Sequence, residues 1–337
     1  MLGAIGLGIS VRRVVVRAGA WILLSCLAGA LCEQLEDAHI TARSDPAASA
    51  PADADRTFPK IRVNSDLVII PVTVTDGKGR VVNGLQKEHF KLYEDKVEHA
   101  IAQFAAEDAP VSIGLVFDAS DSMGPKLQKA GEAVAALLKD SNPEDEFFMV
   151  QFNQQPKLVV SMTRQSEEIK NRVASVRTGG STALLDAVIL ALEQMRNAHY
   201  TRKAIIIISD GEDNASSYSV KQLKDNVHEA DVLIYAIGIN DSGDTYQTSK
   251  TLTGAPLLNE IAQQTGGRLF EVNKLKQLPD IASKISAWLR SQYVLAYAPN
   301  NSEKNGGYHR IRVKITKPAG FPRLHASWRL GYYSPSE

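Results

Sequence analysis

A series of short aliphatic runs, each followed by a stretch with helical spacing, narrows the folds open to this chain. "VSIGLVF" and "KAIIIIS" are apolar without alternation, as strands buried on both faces of a parallel sheet must be. "KLQKAGEAVAALLK" follows the first, and Asn142-Pro143 stops it. "EFFMVQF" and "KLVVSM" read as further strands, and "SEEIKNRVASV" and "ALLDAVILALEQM" as helices. The series continues through the strands "VLIYAIGI" and "RLFEV" and the helices "VKQLKDNVHEA", "LLNEIAQQT" and "LPDIASKISAWLRSQ". Such alternation specifies an α/β domain with a doubly wound, mostly parallel sheet, assigned to residues 109–292.

On either side the period changes to two. Residues 61–108 read as an N-terminal β segment. "DLVIIPVTVTDGKGRVVNGL" supplies two strands turning at Asp76-Gly77, and "FKLYEDKVEHAIAQF" a hairpin turning at Glu94-Asp95-Lys96. Residues 293–337 form a C-terminal β segment of three runs, "YVLAYAP", "YHRIRVKITK" and "RLHASWRLGYY". Neither segment is large enough to be stable alone, so the two are expected to pack as one small β-sandwich with the α/β domain inserted between them.

The first 32 residues are of another kind. Arg12, Arg13 and Arg17 precede "AGAWILLSCLAGALC", and Ala28-Gly29-Ala30 has the small-residue pattern of a cleavage site. This describes a signal peptide or N-terminal anchor, and so an exported chain: periplasmic, secreted or envelope-anchored. "LLSC" also loosely resembles a lipoprotein cleavage site. Residues 33–60, rich in Ala, Pro and Asp, read as a flexible linker. Cys26 and Cys32 are the only cysteines, which leaves the folded part without a disulfide framework or a thiolate metal site. Lys plus Arg and Asp plus Glu both number 38, so no global field points to nucleic acid or an anionic membrane. Any membrane attachment is expected through the N-terminus only. Arg310, Arg312 and Lys314 read as the solvated face of one strand rather than a nucleic-acid stripe.

In an open parallel sheet, ligands sit outside the carboxyl ends of the strands. Three strand-to-helix junctions place oxygen-bearing residues there. "VFDASDSMG" carries Asp118, Ser120 and Ser122; "RTGGSTALLDA" carries Thr182 behind two glycines; "IIIISDGEDN" carries Asp210. Five hard oxygens, two of them on carboxylates, suit Mg²⁺, with Mn²⁺ or Ca²⁺ as substitutes. An EF-hand fails, because Ser122 follows Asp121 and Lys129 stands at position twelve. An aspartyl phosphotransferase would want an acid where Ser120 stands. A plain capping turn remains the bland alternative. Ser120 lacks the nucleophile-elbow motif, and the seven histidines show no ligand spacing.

D-x-S-x-S at 118–122, Gly-Gly-Ser-Thr at 179–182 and Ser-Asp-Gly at 209–211 resemble the von Willebrand factor type A (VWA) domain and its metal-ion-dependent adhesion site, MIDAS. The flanking "VTVTDGKGRVVNGLQKEHFKLYED" and "YVLAYAP…GYY" look like secreted bacterial VWA-related proteins often found in acidobacteria. The resemblance implies a non-enzymatic protein-binding module. Asp118, Ser120, Ser122, Thr182 and Asp210 would hold the cation directly or through water, and a protein partner's acidic side chain would complete its shell. Asp121, Gly180, Ser181, Glu212 and Asp213 are rim or outer-shell candidates. Asp121 departs from the family, which more often has a glycine or another small residue there. Two further readings stay open: a metal-dependent hydrolase or phosphatase using Glu212 or Asp213 as base, and a structural envelope component stabilised by its metal.

Overall fold

The computed structural model describes residues 67–106, 109–239, 254–299 and 306–334. The export signal, the linker and both cysteines lie outside these residues. Among the described residues, no helix is long and apolar enough to cross a membrane.

The leading β segment forms β1 (Val68–Asp76), β2 (Phe90–Glu94), β3 (Val97–His99) and β4 (Gln103–Ala105). The chain turns after Asp76, with Asp76 Oδ1 accepting from the Lys78 and Arg80 amides, but the turn spans Asp76–Arg80 and its positive-φ residue is Gly79 (+74°), not Asp76-Gly77. Its second arm does not become a strand, however, and contributes only a bridge between Thr75 and Val81. The reason lies in where the backbone groups go. Two backbone bonds join the arm to β1, from the Val82 amide to the Val74 carbonyl and from the Asp76 amide to the Arg80 carbonyl. The Val82 carbonyl then accepts from the Tyr293 hydroxyl and the Leu85 amide donates to it, so a side chain takes over where a ladder would continue.

The α/β part runs β5 (Ser112–Asp118), α1 (Leu127–Lys139), β6 (Glu146–Phe152), β7 (Pro156–Thr163), α2 (Ser166–Ala174), α3 (Leu184–Met195) and β8 (Lys203–Ser209). It continues through α4 (Val220–Glu229), β9 (Leu233–Ile239), α5 (Ala255–Gln264), β10 (Arg268–Val272) and α6 (Leu278–Arg290). Its six strands lie in the order β10-β9-β8-β5-β6-β7, parallel throughout except for β7, which runs antiparallel to β6. One face packs on α1, α2 and α6 through residues such as Leu115, Phe117, Ile206 and Ile237; the other packs on α3, α4 and α5 through Val116, Val150, Ile205 and Ile207. Alternate residues of each strand therefore enter different cores, which is why β8 has no polar face. At Gly114 the sheet is so tight that an added Cβ would lie 2.3 Å from the Phe148 ring on β6.

The chain returns as β11 (Gln292–Tyr297), β12 (Tyr308–Ile315), β13 (Leu324–Trp328) and β14 (Gly331–Tyr333). The two β segments interleave into four-stranded sheets, β13-β1-β11-β4 and β14-β12-β2-β3, around Ile70, Val72, Leu92, Tyr293, Leu295, Ile311 and Val313. The run "RLHASWRLGYY", read as one element, divides at Arg329-Leu330: β13 pairs with β1 in one sheet and β14 with β12 in the other. Alternation continues across the break, so the pattern carries no sign of the change of sheet. Trp288 and Tyr297 are core residues, and Trp288 Nε1 donates to the Gly79 carbonyl at 3.0 Å, tying α6 to the turn after β1. Arg310, Arg312 and Lys314 are exposed on β12, with Lys314 Nζ 4.8 Å above the Tyr93 ring.

Candidate metal centre

Strand β5 is the topological switch of the large sheet. From it the chain builds outward through β6 and β7, then crosses back to place β8 on its other side. The crevice beyond the carboxyl ends of β5, β6 and β8 is where such sheets bind ligands. Asp118 is the last residue of β5 and Ser209 the last of β8.

Asp118 is fully buried. Its Oδ1 accepts from the Ser120 amide at 2.8 Å and its Oδ2 from the Ser209 hydroxyl at 2.6 Å. Burial raises its pKa to about 6, against the lowering effect of these hydrogen bonds, and the nearby Asp210 charge raises it further. Ser120 and Ser122 bring their hydroxyl oxygens 3.1 Å apart on the 3-10 turn that precedes α1.

Backbone bonds sew the other loops to this one. The Asp121 amide donates to the Gly180 carbonyl and the Gly179 amide to the Ala119 carbonyl. Gly180 has φ +83°, a conformation that favours glycine, and lies against the tip of the Gln154 side chain. Thr182 is buried; its amide donates to Asn214 Oδ1 and its carbonyl accepts from the Asn214 and Ala215 amides, which joins the second loop to the third. Ser181 is exposed and Gly180 lies beside it, while Asp121 is exposed on the first loop. Glu212 stands at the edge of the third loop. Asp213 caps the start of α3 from that loop, with its Oδ1 accepting from the Leu184 and Leu185 amides and from the Ser216 hydroxyl.

Asp210 brings in a residue that the sequence does not single out. Its Oδ2 lies 2.9 Å from the Nζ of Lys126, and both side chains are nearly buried. Lys126 follows Gly124-Pro125 in what reads as a loop before a surface helix, and only its position four residues past Ser122 hints at proximity. The other oxygen, Asp210 Oδ1, is buried with no hydrogen-bond partner among the described residues. An orphaned carboxylate oxygen at this depth costs free energy unless something positive or a donor meets it.

The donor chemistry fits a hard cation. Among the described residues no group of three His, Cys, Asp or Glu converges as a metal site. This crevice instead offers two carboxylates and hydroxyls, the oxygen-only set that Mg²⁺, Mn²⁺ and Ca²⁺ accept and that zinc sites rarely use. Asp118, Ser120, Ser122, Thr182 and Asp210 come from three junctions held at one rim.

The chain is similar to several known proteins. The model of the von Willebrand factor type A domain matches residues 112–284. Inter-alpha-trypsin inhibitor heavy chain 4 of Mus musculus is 25% identical over 227 residues, 60% of this chain and 23% of its own length. An uncharacterised protein of Borreliella burgdorferi is 25% identical over 187 residues, 49% of this chain and 54% of that one. The chain thus spans between 16% and 24% of the length of the heavy chains it matches. Among solved structures, a von Willebrand factor type A protein from Catenulispora acidiphila aligns over 81% of this chain and 74% of its own, with 12% identity and a TM-score of 0.48. Proximal thread matrix protein 1 from the mussel byssus, with a zinc-occupied MIDAS motif, aligns over 58% of this chain and 49% of its own, at 20% identity and a TM-score of 0.42. With the family model covering more than half of its residues, the chain belongs to the von Willebrand factor type A domain family.

Proposed function

We propose that the chain is an exported protein-binding module that works through a divalent cation, Mg²⁺ in the first place, held at the rim by Asp118, Ser120, Ser122, Thr182 and Asp210. The observation that carries this reading is the pair of carboxylates at the switch point, Asp118 buried and Asp210 nearly so, the latter with a buried oxygen that meets no hydrogen-bond partner among the described residues. A bound cation supplies Lewis acidity toward a carboxylate of a protein partner. The chain's own groups do the rest: Ser209 and the Ser120 amide orient Asp118, the Gly179 and Gly180 backbone holds the second loop against the first, and Asn214 fixes Thr182. Neutral serine and threonine ligands leave net positive charge for an acidic side chain. Export and any attachment through the N-terminus rest on the basic, apolar and small-residue pattern of residues 1–32.

A hydrolytic reading is less well supported. It needs a base beside the cation, yet Asp213 is committed to capping α3, and Glu212 is exposed. Calorimetric titration with Mg²⁺ and Mn²⁺, joined to pull-down from an envelope extract with and without chelator, tests the proposal. Wild type is expected to bind the cation saturably and to retain a partner only in its presence. Asp118→Ala is expected to lose both while keeping its circular dichroism spectrum. Equal partner affinity in chelator and in Mg²⁺ would refute the mechanism.

A further inference from the structure

The rim contains a cation of its own. Lys126 closes the 3-10 turn Asp121–Lys126 and stands at the entry to α1, directly behind Pro125. Its side chain and that of Asp210 are each 9% exposed, with Nζ 2.9 Å from Oδ2. At this depth neither charge is well hydrated, and the pairing offsets part of the desolvation of both. Asp210 therefore has one oxygen held by a tethered ammonium and one, Oδ1, buried without a partner among the described residues. The formal charge of the site follows: Asp118 and Asp210 contribute two negatives when ionised and Lys126 one positive. An incoming divalent ion meets a net charge of minus one instead of minus two.

We propose that Lys126 is a built-in competitor of the divalent cation, holding Asp210 in the metal-free protein and lowering the affinity of the site for its metal. The inference rests on the metal-site reading above and deepens it. Two like-signed cations sharing one carboxylate within a few ångströms repel strongly in a partly buried setting, where the effective dielectric is near ~20 rather than ~80. The same ammonium keeps the third loop docked when no metal is bound, because it gives Asp210 a counter-ion that does not diffuse away. It also leaves the metal-loaded rim one charge more positive toward a carboxylate than its two acids alone would allow.

A purely structural clamp makes the opposite prediction. If Lys126 served only to aim Asp210 at the metal, neutralising it would weaken cation binding. Mg²⁺, and separately Mn²⁺, are titrated by calorimetry into the full chain carrying Lys126→Met, Lys126→Gln or Lys126→Arg, with wild type alongside. The neutral variants are expected to bind at least about tenfold more tightly than wild type, whereas Lys126→Arg, which keeps the charge, is not. In chelator Lys126→Met is expected to melt below wild type, and Mg²⁺ to raise its melting temperature by a larger interval. Glutamine provides a second, polar replacement should the methionine variant fail to fold. Neutral variants that bind equally or more weakly, beside a wild type that binds saturably, overturn the proposal while leaving the metal site standing. Saturable binding by no variant at all overturns both.

Discussion

Asp118→Asn offers a quantitative test of how the site is built. Burial lifts the Asp118 carboxyl from 3.8 to about 6, so ionising it in the metal-free fold is unfavourable relative to the unfolded chain. A difference of about two pH units corresponds to about 3 kcal/mol at neutral pH. The sign follows from proton binding. Between about pH 4 and 6 the folded state holds a proton that the unfolded state has released, so this group's contribution is favourable at low pH and is lost as pH rises through about 6. Asparagine removes the charge and keeps an oxygen for the Ser120 amide. It does exchange the acceptor facing the Ser209 hydroxyl for an amide, a rearrangement costing about 1 kcal/mol. The metal-free variant should therefore be more stable than wild type by about 2 kcal/mol at about pH 7.5. Urea unfolding in chelator measures it, and the gap should close toward about pH 4. With saturating Mg²⁺ the order should reverse, because only wild type gains from the cation. A variant less stable than wild type in chelator by a pH-independent amount would show that the charge of Asp118 carries no such cost.

With Asp118 as a ligand, as proposed, a proton and the cation would compete for it, and Mg²⁺ affinity measured by calorimetry should be about tenfold weaker at about pH 5 than at about pH 7.5; an affinity unchanged across that range would remove Asp118 from the proposed ligand set. Gly114→Ala would drive a methyl into the Phe148 ring and should cost about 1–3 kcal/mol of unfolding free energy, most of it recovered in Gly114→Ala/Phe148→Leu. Additive losses in the double variant would place the strain elsewhere.

Much of the architecture is written locally. The strands β5 and β8 announce themselves because residues buried on both faces leave no polar period, and the helices between them because their apolar residues recur every third or fourth position. The sites of Asp118, Thr182 and Asp210 follow from the same arithmetic, since a doubly wound sheet sends every strand-to-helix junction to one edge. Where alternation is the only guide the reading is coarser. It makes a strand of the arm after Gly77, whose backbone turns to the Tyr293 hydroxyl, and one element of β13 and β14, which belong to different sheets.

The alternation of strands and helices in the α/β part, their burial and the oxygen-bearing residues at the three junctions are legible in the amino-acid string, because each depends on neighbours a few positions away. Which charges meet is settled only when the chain folds. Lys126 and Asp210 lie 84 positions apart, and Asp213 reaches the first turn of α3 across 29. Contacts of that span arise from how strands are ordered in the sheet, and no local periodicity encodes them. The net charge of the rim therefore stays hidden until β5 and β8 stand side by side.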